Sequence, residues 1–148
     1  MKIVLQRVKE AKVEIKGNVA GKIGKGILVF VGVEKGDSLE EVEYLADKVA
    51  NLRIFPDDVK RMNLSLLDIS GEALVVSQFT ITSIIGKGRR PGFERAEAPV
   101  KAKELIETFE RKLEEKGVKV EKGIFGEMMD VYLINDGPVT FILERRRN

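Results

Sequence analysis

Along the first part of the chain, apolar positions recur with a period of two. Residues 2–8 read as a first strand. Ala11-Lys12-Val13-Glu14-Ile15-Lys16 then alternates apolar with charged residues, the pattern of a half-buried strand, and Gly17-Asn18 turns it. Gly26-Ile27-Leu28-Val29-Phe30-Val31-Gly32 is apolar throughout, so this strand is expected to be covered on both faces. Then the period changes. Ser38-Leu39-Glu40-Glu41 forms a capping box, and Leu39, Val42, Leu45, Ala46, Val49 and Leu52 make the apolar stripe of a helix. Arg53-Ile54-Phe55 reads as a short strand stopped by Pro56, residues 57–71 as irregular, and Glu72 to Thr80 as a strong strand. Residues 83–98 form a loop rich in Gly and Arg, long enough to need a functional or docking reason. Pro99 starts a second helix with Ala102, Leu105, Ile106, Phe109 and Leu113 on its inner face, and Gly117 ends it. Strands at 118–122, 128–135 and 138–144 close the chain. No repeat or linker interrupts it, so one domain over residues 1–148 is expected. Its class is mixed α/β, α+β-like, with a mostly antiparallel or mixed sheet or barrel-like core and two main helices.

Composition changes this picture mainly by exclusion. At 148 residues the chain can bury about 68–70% of its unfolded surface without covalent staples. It contains neither cysteine nor histidine. Disulfides, thiolate zinc sites and the usual general base are therefore excluded, and Ser-His-Asp or Cys-His catalysis with them. No Asp/Glu cluster at ligand spacing appears, and neither a Gly-x-Gly-x-x-Gly turn nor a phosphate-binding Walker loop is present, so no metal or nucleotide cofactor is expected. The 26 Lys and Arg against 24 Asp and Glu give a net charge of only +2, but two local concentrations stand out. Lys87-Gly88-Arg89-Arg90-Pro91 is a compact basic loop, and Arg145-Arg146-Arg147 is a basic tail. The opening apolar stretch is too short for a signal peptide and no run approaches a membrane span, which reads as a soluble cytoplasmic chain without a membrane partner.

Three segments could carry chemistry. In Asn135-Asp136-Gly137-Pro138-Val139-Thr140, Asp-Gly favours a turn, while the proline removes a donor and restricts the residue before it. Two readings follow: a hairpin turn, or a rigid backbone element that aims carbonyl groups at something. Ser77-Gln78-Phe79-Thr80 lies at the end of its strand, and alternation puts Gln78 and Thr80 on one face, Ser77 and Phe79 on the other. Ser77 and Thr80 thus cannot converge on one atom unless the strand bends. Either hydroxyl could be structural, and a hydroxyl nucleophile would need a partner base, which no histidine is there to provide. Main-chain N–H groups at the strand end could still act as oxyanion donors. The basic loop could be only a solvated charge run. Its Gly-separated cations, without interleaved aromatics, also suit the phosphates of folded, double-helical nucleic acid.

With these three motifs in one chain, the sequence closely resembles the D-aminoacyl-tRNA deacylase family. The likeness covers essentially all of it, including Gln6-Arg7-Val8, Gly24-Lys25-Gly26, Leu52-Arg53-Ile54-Phe55 and Met62-Asn63-Leu64-Ser65. The resemblance implies a homodimeric hydrolase that cleaves the ester between a D-amino acid, or glycine, and the 3′ adenosine of tRNA. It implies that Ser77, Gln78, Phe79 and Thr80 line the substrate pocket, and that Gly137-Pro138 forms a cis bond reaching into the partner subunit's site as a filter for chirality. Thr80 matches a threonine considered as a nucleophile. The competing view gives catalysis to the substrate 2′-hydroxyl, with Phe79 and Thr80 main chain positioning and stabilising the oxyanion, and the lack of any histidine favours that view. Lys87, Arg89 and Arg90 are the expected tRNA contacts near the acceptor stem. A non-catalytic tRNA-binding module is the alternative. Two stretches depart from the family pattern: Ile81-Thr82-Ser83-Ile84-Ile85-Gly86, commonly more polar, and the arginine tail, which could add an electrostatic grip on tRNA.

Overall fold

The computed structural model describes residues 1–147, so Asn148, the last residue of the expected domain, lies outside the described residues. The elements in chain order are β1 (Lys2–Ile15), β2 (Asn18–Ile23), β3 (Gly26–Gly32), α1 (Leu39–Asn51), β4 (Phe55–Pro56), β5 (Met62–Leu64) and β6 (Glu72–Ser77), then a short 3-10 turn (Phe79–Thr82), α2 (Pro99–Glu115), β7 (Lys119–Lys122) and β8 (Asp130–Glu144). The sheet runs β2-β1-β3-β6-β7, with β8 also paired to β1. β1 is antiparallel to β2, β3 and β8, whereas β3, β6 and β7 run parallel to one another. The two parallel joins are the ones that span a helix, as connecting parallel neighbours requires. The sheet is thus mixed. Its far edges curl together until a Cβ at Gly21 on β2 would sit 2.7 Å from the Lys122 carbonyl on β7, giving a nearly barrel-shaped domain.

Burial follows the alternation read from the sequence. Ile27, Val29 and Val31 of β3 and Ala73 and Val75 of β6 enter a large core beneath both helices, while Leu28, Leu74 and Val76 enter a smaller one on the other face. β3 is covered on both sides, as its unbroken apolar run predicts. Phe109 of α2 is fully buried, and Val42, Leu45, Ala46 and Val49 of α1 share that core. The capping box at Ser38 is formed as its spacing predicts: the Ser38 amide and hydroxyl both donate to Glu41 Oε2 at 2.7 Å.

β1 and β8 change cores part-way along. Ile3 and Leu5 face the large core, and Val8, Ala11 and Val13 the small one; Phe141 and Leu143 pack on the large core, Val131 and Leu133 on the small one. A strand changes face only through an irregularity, because its side chains alternate strictly. The register of this pair is broken between Gln6 and Val8 and again between Val8 and Glu10. Two expected strands are therefore one at each end of the chain: 2–8 and 11–16 merge into β1, and 128–135 and 138–144 into β8. The turn expected at Gly17-Asn18 leads straight into strand β2, to which the sequence reading assigned no element, and the region expected to be irregular contains β5. No helix among the described residues is long and apolar enough to cross a membrane.

Candidate functional site

The hairpin reading of residues 135–140 is overturned. Both halves of β8 run antiparallel to β1 in the same direction, so the chain does not reverse. Gln6 pairs with Thr140 and Val8 with Asn135: two steps along β1 answer five along β8, and residues 136–139 bulge from the ladder. The physical reason lies in two side chains. Asn135 Nδ2 donates to the Arg7 and Val139 carbonyls, both at 2.9 Å, while its Oδ1 accepts from the Val139 amide at 3.1 Å. One amide side chain thus replaces ladder bonds that the extra residues cannot make. Arg7 holds the other flank, donating from Nε to the Asp136 carbonyl (3.0 Å) and from Nη1 to the Ile54 carbonyl (2.7 Å). Gly137 and Pro138 are exposed between these two braces, and their peptide bond is cis. A Cβ on Gly137 would lie 2.6 Å from Val139 Cγ2, so glycine is required here on packing grounds alone.

A second correction concerns the strand expected to run to Thr80. β6 ends at Ser77, and the chain bends into the 3-10 turn. The Gln78 amide makes the last sheet bond, to the Val31 carbonyl at 2.9 Å, and the Thr82 hydroxyl donates to the Phe79 carbonyl at 2.7 Å. Gly32 makes room for the bend: a Cβ there would stand 2.7 Å from Ile81 Cγ1 and from Thr82 Cγ2. The bend upsets the strict two-face alternation expected through Thr80. Ser77, Gln78 and Phe79 together line a cavity of about 630 Å³, while Thr80 is exposed and outside its lining. Gln78 Nε2 donates to Thr80 Oγ1. The threonine hydroxyl therefore meets an amide donor where a nucleophile would need a base.

Val31 and Val76 of the sheet and Pro99, Ala102 and Ile106 of α2 also line the cavity, and further lining comes from residues 93–97 and 125–127, which the sequence reading left outside helices and strands. Phe93, Ala96 and Glu97 form one wall, and Phe125 to Met129 another. Phe79 and Phe93 meet edge to face, ring centroids 5.2 Å apart, at the mouth. The walls are largely apolar, with Glu97 as a fixed charge. The Ala98 amide, 2.8 Å from Oε1, holds the Glu97 carboxyl below the usual range; burial opposes this and Lys101 at 3.2 Å supports it. Behind Ser77, a smaller cavity of about 210 Å³ is lined by Glu110 and Lys122. Burial pushes the Glu110 carboxyl up, against the pull of the Lys122 ammonium at 3.5 Å. Among the described residues no group of three or more His, Cys, Asp or Glu could hold a metal ion.

Lys87, Arg89 and Arg90 are all exposed, and none forms an ion pair among the described residues. Their loop is pinned at its base by paired backbone bonds between Ile84 and Gly92, at 2.8 and 2.9 Å. Phe93 follows directly, so the basic loop is rooted in the cavity wall. Gly137 and Pro138 do not line the cavity of their own chain. Arg145, Arg146 and Arg147 pair with carboxylates of this chain. The sequence reading missed the braces Arg7 and Asn135 as functional residues. Both sat inside quoted motifs, but nothing local showed that the motifs face each other.

Known proteins resemble this chain over nearly its whole length. The model of the D-Tyr-tRNA(Tyr) deacylase family matches residues 4–144. The D-aminoacyl-tRNA deacylase of Aquifex aeolicus is 55% identical over 146 residues, covering 99% of each chain. That of Exiguobacterium sibiricum is 55% identical over 145 residues, covering 98% of this chain and 100% of its own. Among solved structures, a c-Myc DNA unwinding element binding protein superposes with a TM-score of 0.94 at 37% identity, over 99% of this chain and 100% of that one. A probable eukaryotic D-amino acid tRNA deacylase superposes at 0.83 with 15% identity over 96% and 97%, a likeness of fold alone.

Proposed function

The chain belongs to the D-aminoacyl-tRNA deacylase family, and on that premise we propose that its cavity receives the aminoacyl-adenosine end of a D-aminoacyl-tRNA and hydrolyses the ester. The observation that carries this reading is the bend after Ser77, which turns Ser77, Gln78 and Phe79 into one largely apolar cavity beside a rooted basic loop. Water adds to the ester carbonyl carbon, the tetrahedral oxyanion forms, and its collapse expels the 3′-oxygen of the ribose, which takes up a proton. The products are the free D-amino acid and uncharged tRNA. No cofactor is needed for any of these steps.

The neighbouring 2′-hydroxyl of the substrate orients the water and relays the proton. It is already beside the ester, which supplies proximity without a protein base. The chain contains no histidine or cysteine, and Thr80 accepts a hydrogen bond from an amide, so among the described residues its hydroxyl meets a donor in place of a base. The first N–H groups of a helical turn have no acceptor within it, and the Gln78 side chain does not cap this one. In this reading the Phe79 amide is the oxyanion donor, worth about 2.7–4 kcal/mol in comparable sites, and Thr80 helps position the turn that carries it. Thr80→Ala and Thr80→Val should keep most of the single-turnover rate; a fall of several orders of magnitude would return the threonine to the role of nucleophile.

Gly137-Pro138 is offered to the cavity of a second copy of the chain, which makes the active form a homodimer. Its exposure, its absence from its own cavity and its bracing by Arg7 and Asn135 support this. D- and L-esters carry the same groups, so selection requires a penalty against one hand. A fixed backbone at Cα obstructs an L side chain and leaves room for a D side chain or for the hydrogen of glycine. Glycyl-tRNA is therefore a substrate as well. Lys87, Arg89 and Arg90 hold phosphates near the acceptor stem, in the cytoplasm where charged tRNA is found. Release of amino acid from D-tyrosyl-, L-tyrosyl- and glycyl-tRNA tests all of this. Cleavage of the first and third but not the second is expected; binding without cleavage of any would mark a non-catalytic tRNA-binding module.

A further inference from the structure

The arginine tail has no part in the reading above, and its surroundings give it one. Arg146 Nη2 lies 3.3 Å from Glu34 Oε2 and 2.6 Å from Glu144 Oε1. Glu34 is 6% exposed, and its other oxygen, Oε1, is buried without a hydrogen-bond partner among the described residues. Asp37 faces it from the following turn, accepting from the Glu34 amide at 2.7 Å and from the Met1 ammonium at 2.6 Å. Two carboxylates thus share one buried corner. The ammonium is committed to Asp37, and among the described residues Arg146 is the cation in ion-pair range of Glu34.

This corner is also where a wall of the cavity is tied down. Glu34 forms an antiparallel bridge with Ala96, the Lys35 amide donates to the Arg95 carbonyl at 2.9 Å, and the Glu97 amide to the Val33 carbonyl at 3.0 Å. Val33, Ala96 and Glu97 line the cavity. We propose that Arg146 is a positioning residue: by neutralising buried Glu34 it keeps segment 33–35 in place, and with it the 93–97 wall of the aminoacyl cavity. This rests on the proposed reading of that cavity. It assigns the tail an internal counter-charge, and with it no grip on tRNA. Arg145 and Arg147 secure the tail more weakly, each 3.8 Å from Glu40, with the Arg145 guanidinium 4.4 Å over the Tyr44 ring.

The physical argument is one of asymmetry. A buried carboxylate with one unsatisfied oxygen has no reserve, so losing its cation leaves an uncompensated charge, far costlier than never having the pair. Glu34 would then swing toward water and pull its backbone off the Ala96 bridge. The test compares Arg146→Ala, Arg146→Lys, Glu34→Gln and the double variant Arg146→Ala/Glu34→Gln. It reads kcat and KM on D-tyrosyl-tRNA, hydrogen exchange at the Lys35 and Glu97 amides, and the salt dependence of tRNA binding.

Arg146→Ala should raise KM at least about fivefold with kcat within about twofold, and speed exchange at both amides, because it orphans a buried charge. Arg146→Lys should recover part of this. Adding Glu34→Gln to Arg146→Ala should restore KM and exchange to the level of Glu34→Gln alone, since the orphaned charge is gone. Wild-type kinetics and exchange in Arg146→Ala, or no rescue by Glu34→Gln, would overturn the inference. So would a salt slope shallower by about 0.7–0.9, the mark of one lost phosphate contact. If Arg146→Ala does not fold, Arg146→Gln carries the same readouts. If the wild-type protein releases no D-tyrosine, the reading of the cavity fails, and exchange at Lys35 and Glu97 still decides the role of Arg146.

Discussion

Asn135 carries more of the Gly137-Pro138 bulge than any other side chain, and its replacement offers a graded test. In Asn135→Ala three hydrogen bonds disappear: two donated by Nδ2 to the Arg7 and Val139 carbonyls, and one accepted by Oδ1 from the Val139 amide. Val139 is buried at 8% exposure, so water cannot fully replace its two lost partners. At about 0.5–1.5 kcal/mol for each neutral bond, and more where a group is left unsatisfied, the expected loss is about 2–4 kcal/mol. Asn135→Asp keeps the shape and the acceptor toward the Val139 amide but removes the donor. Two carbonyls 2.9 Å away would then face a carboxylate oxygen, while the Arg7 guanidinium is already engaged with the Asp136 and Ile54 carbonyls. At neutral pH this variant should be no more stable than Asn135→Ala.

The sign of its pH dependence follows from the same geometry. Carbonyl neighbours disfavour the anion, so the introduced carboxyl is pushed up in the folded state. Folding then favours the protonated form, and the variant regains stability as the pH falls through that raised value. Urea unfolding at a fixed protein concentration, with linear extrapolation and a check that m is constant, gives the energies. Deacylation of D- and L-tyrosyl-tRNA gives the selectivity, which should fall in both variants as the bulge loosens. A change under about 0.5 kcal/mol in Asn135→Ala, the size expected of an ordinary surface substitution, would refute the bracing argument.

Replacing Lys87, Arg89 and Arg90 together by Ala should weaken tRNA binding and reduce the slope of log K against log salt by about 2–3, since each lost phosphate contact counts for roughly 0.7–0.9; an unchanged slope would remove the loop from the interface. Glu110 has its carboxyl pushed up by burial despite Lys122, so the folded state prefers it protonated and loses that advantage as pH rises through the folded value. Glu110→Gln should therefore compare more favourably with wild type at pH 7 than at pH 4 in thermal unfolding, and the reverse order would contradict the argument. Gly32→Ala places a Cβ 2.7 Å from Ile81 Cγ1 and Thr82 Cγ2 and 3.0 Å from the Gln78 carbonyl, so it should displace the turn bearing Phe79. Its deacylation rate should fall by a larger factor than its folding equilibrium shifts, and parity between the two would show that the turn is not position-critical.

What could be read from the sequence divides along a physical line. Patterns that depend on one element's own periodicity came through: the all-apolar β3 buried on both faces, the capped α1 from Ser38, and α2 beginning at Pro99. Features created by two distant segments meeting did not. The bend after Ser77 depends on Gly32, forty-five residues earlier in the chain by their numbers, because only a missing side chain on β3 lets Ile81 and Thr82 pack there. The continuity of β8 through Asp136–Val139 depends on Arg7 and Gln6, which meet it across the β1 ladder; Asp-Gly-Pro by itself reads as a reversal. The arginine tail shows the same limit for charge. As a string it resembles a nucleic-acid contact, and only the buried corner holding Glu34 turns Arg146 inward. In each case local chemistry supplied the capability, and a partner more than forty residues away selected its use. Those long-range partners are backbone carbonyls, a bare Cα and one buried carboxylate, groups whose demands leave little trace in residue type. Site residues in this fold are thus identified best by asking what holds each irregularity open. Arg7, Asn135, Gly32 and Glu34 answer that question here, though none of them is proposed to touch the scissile ester.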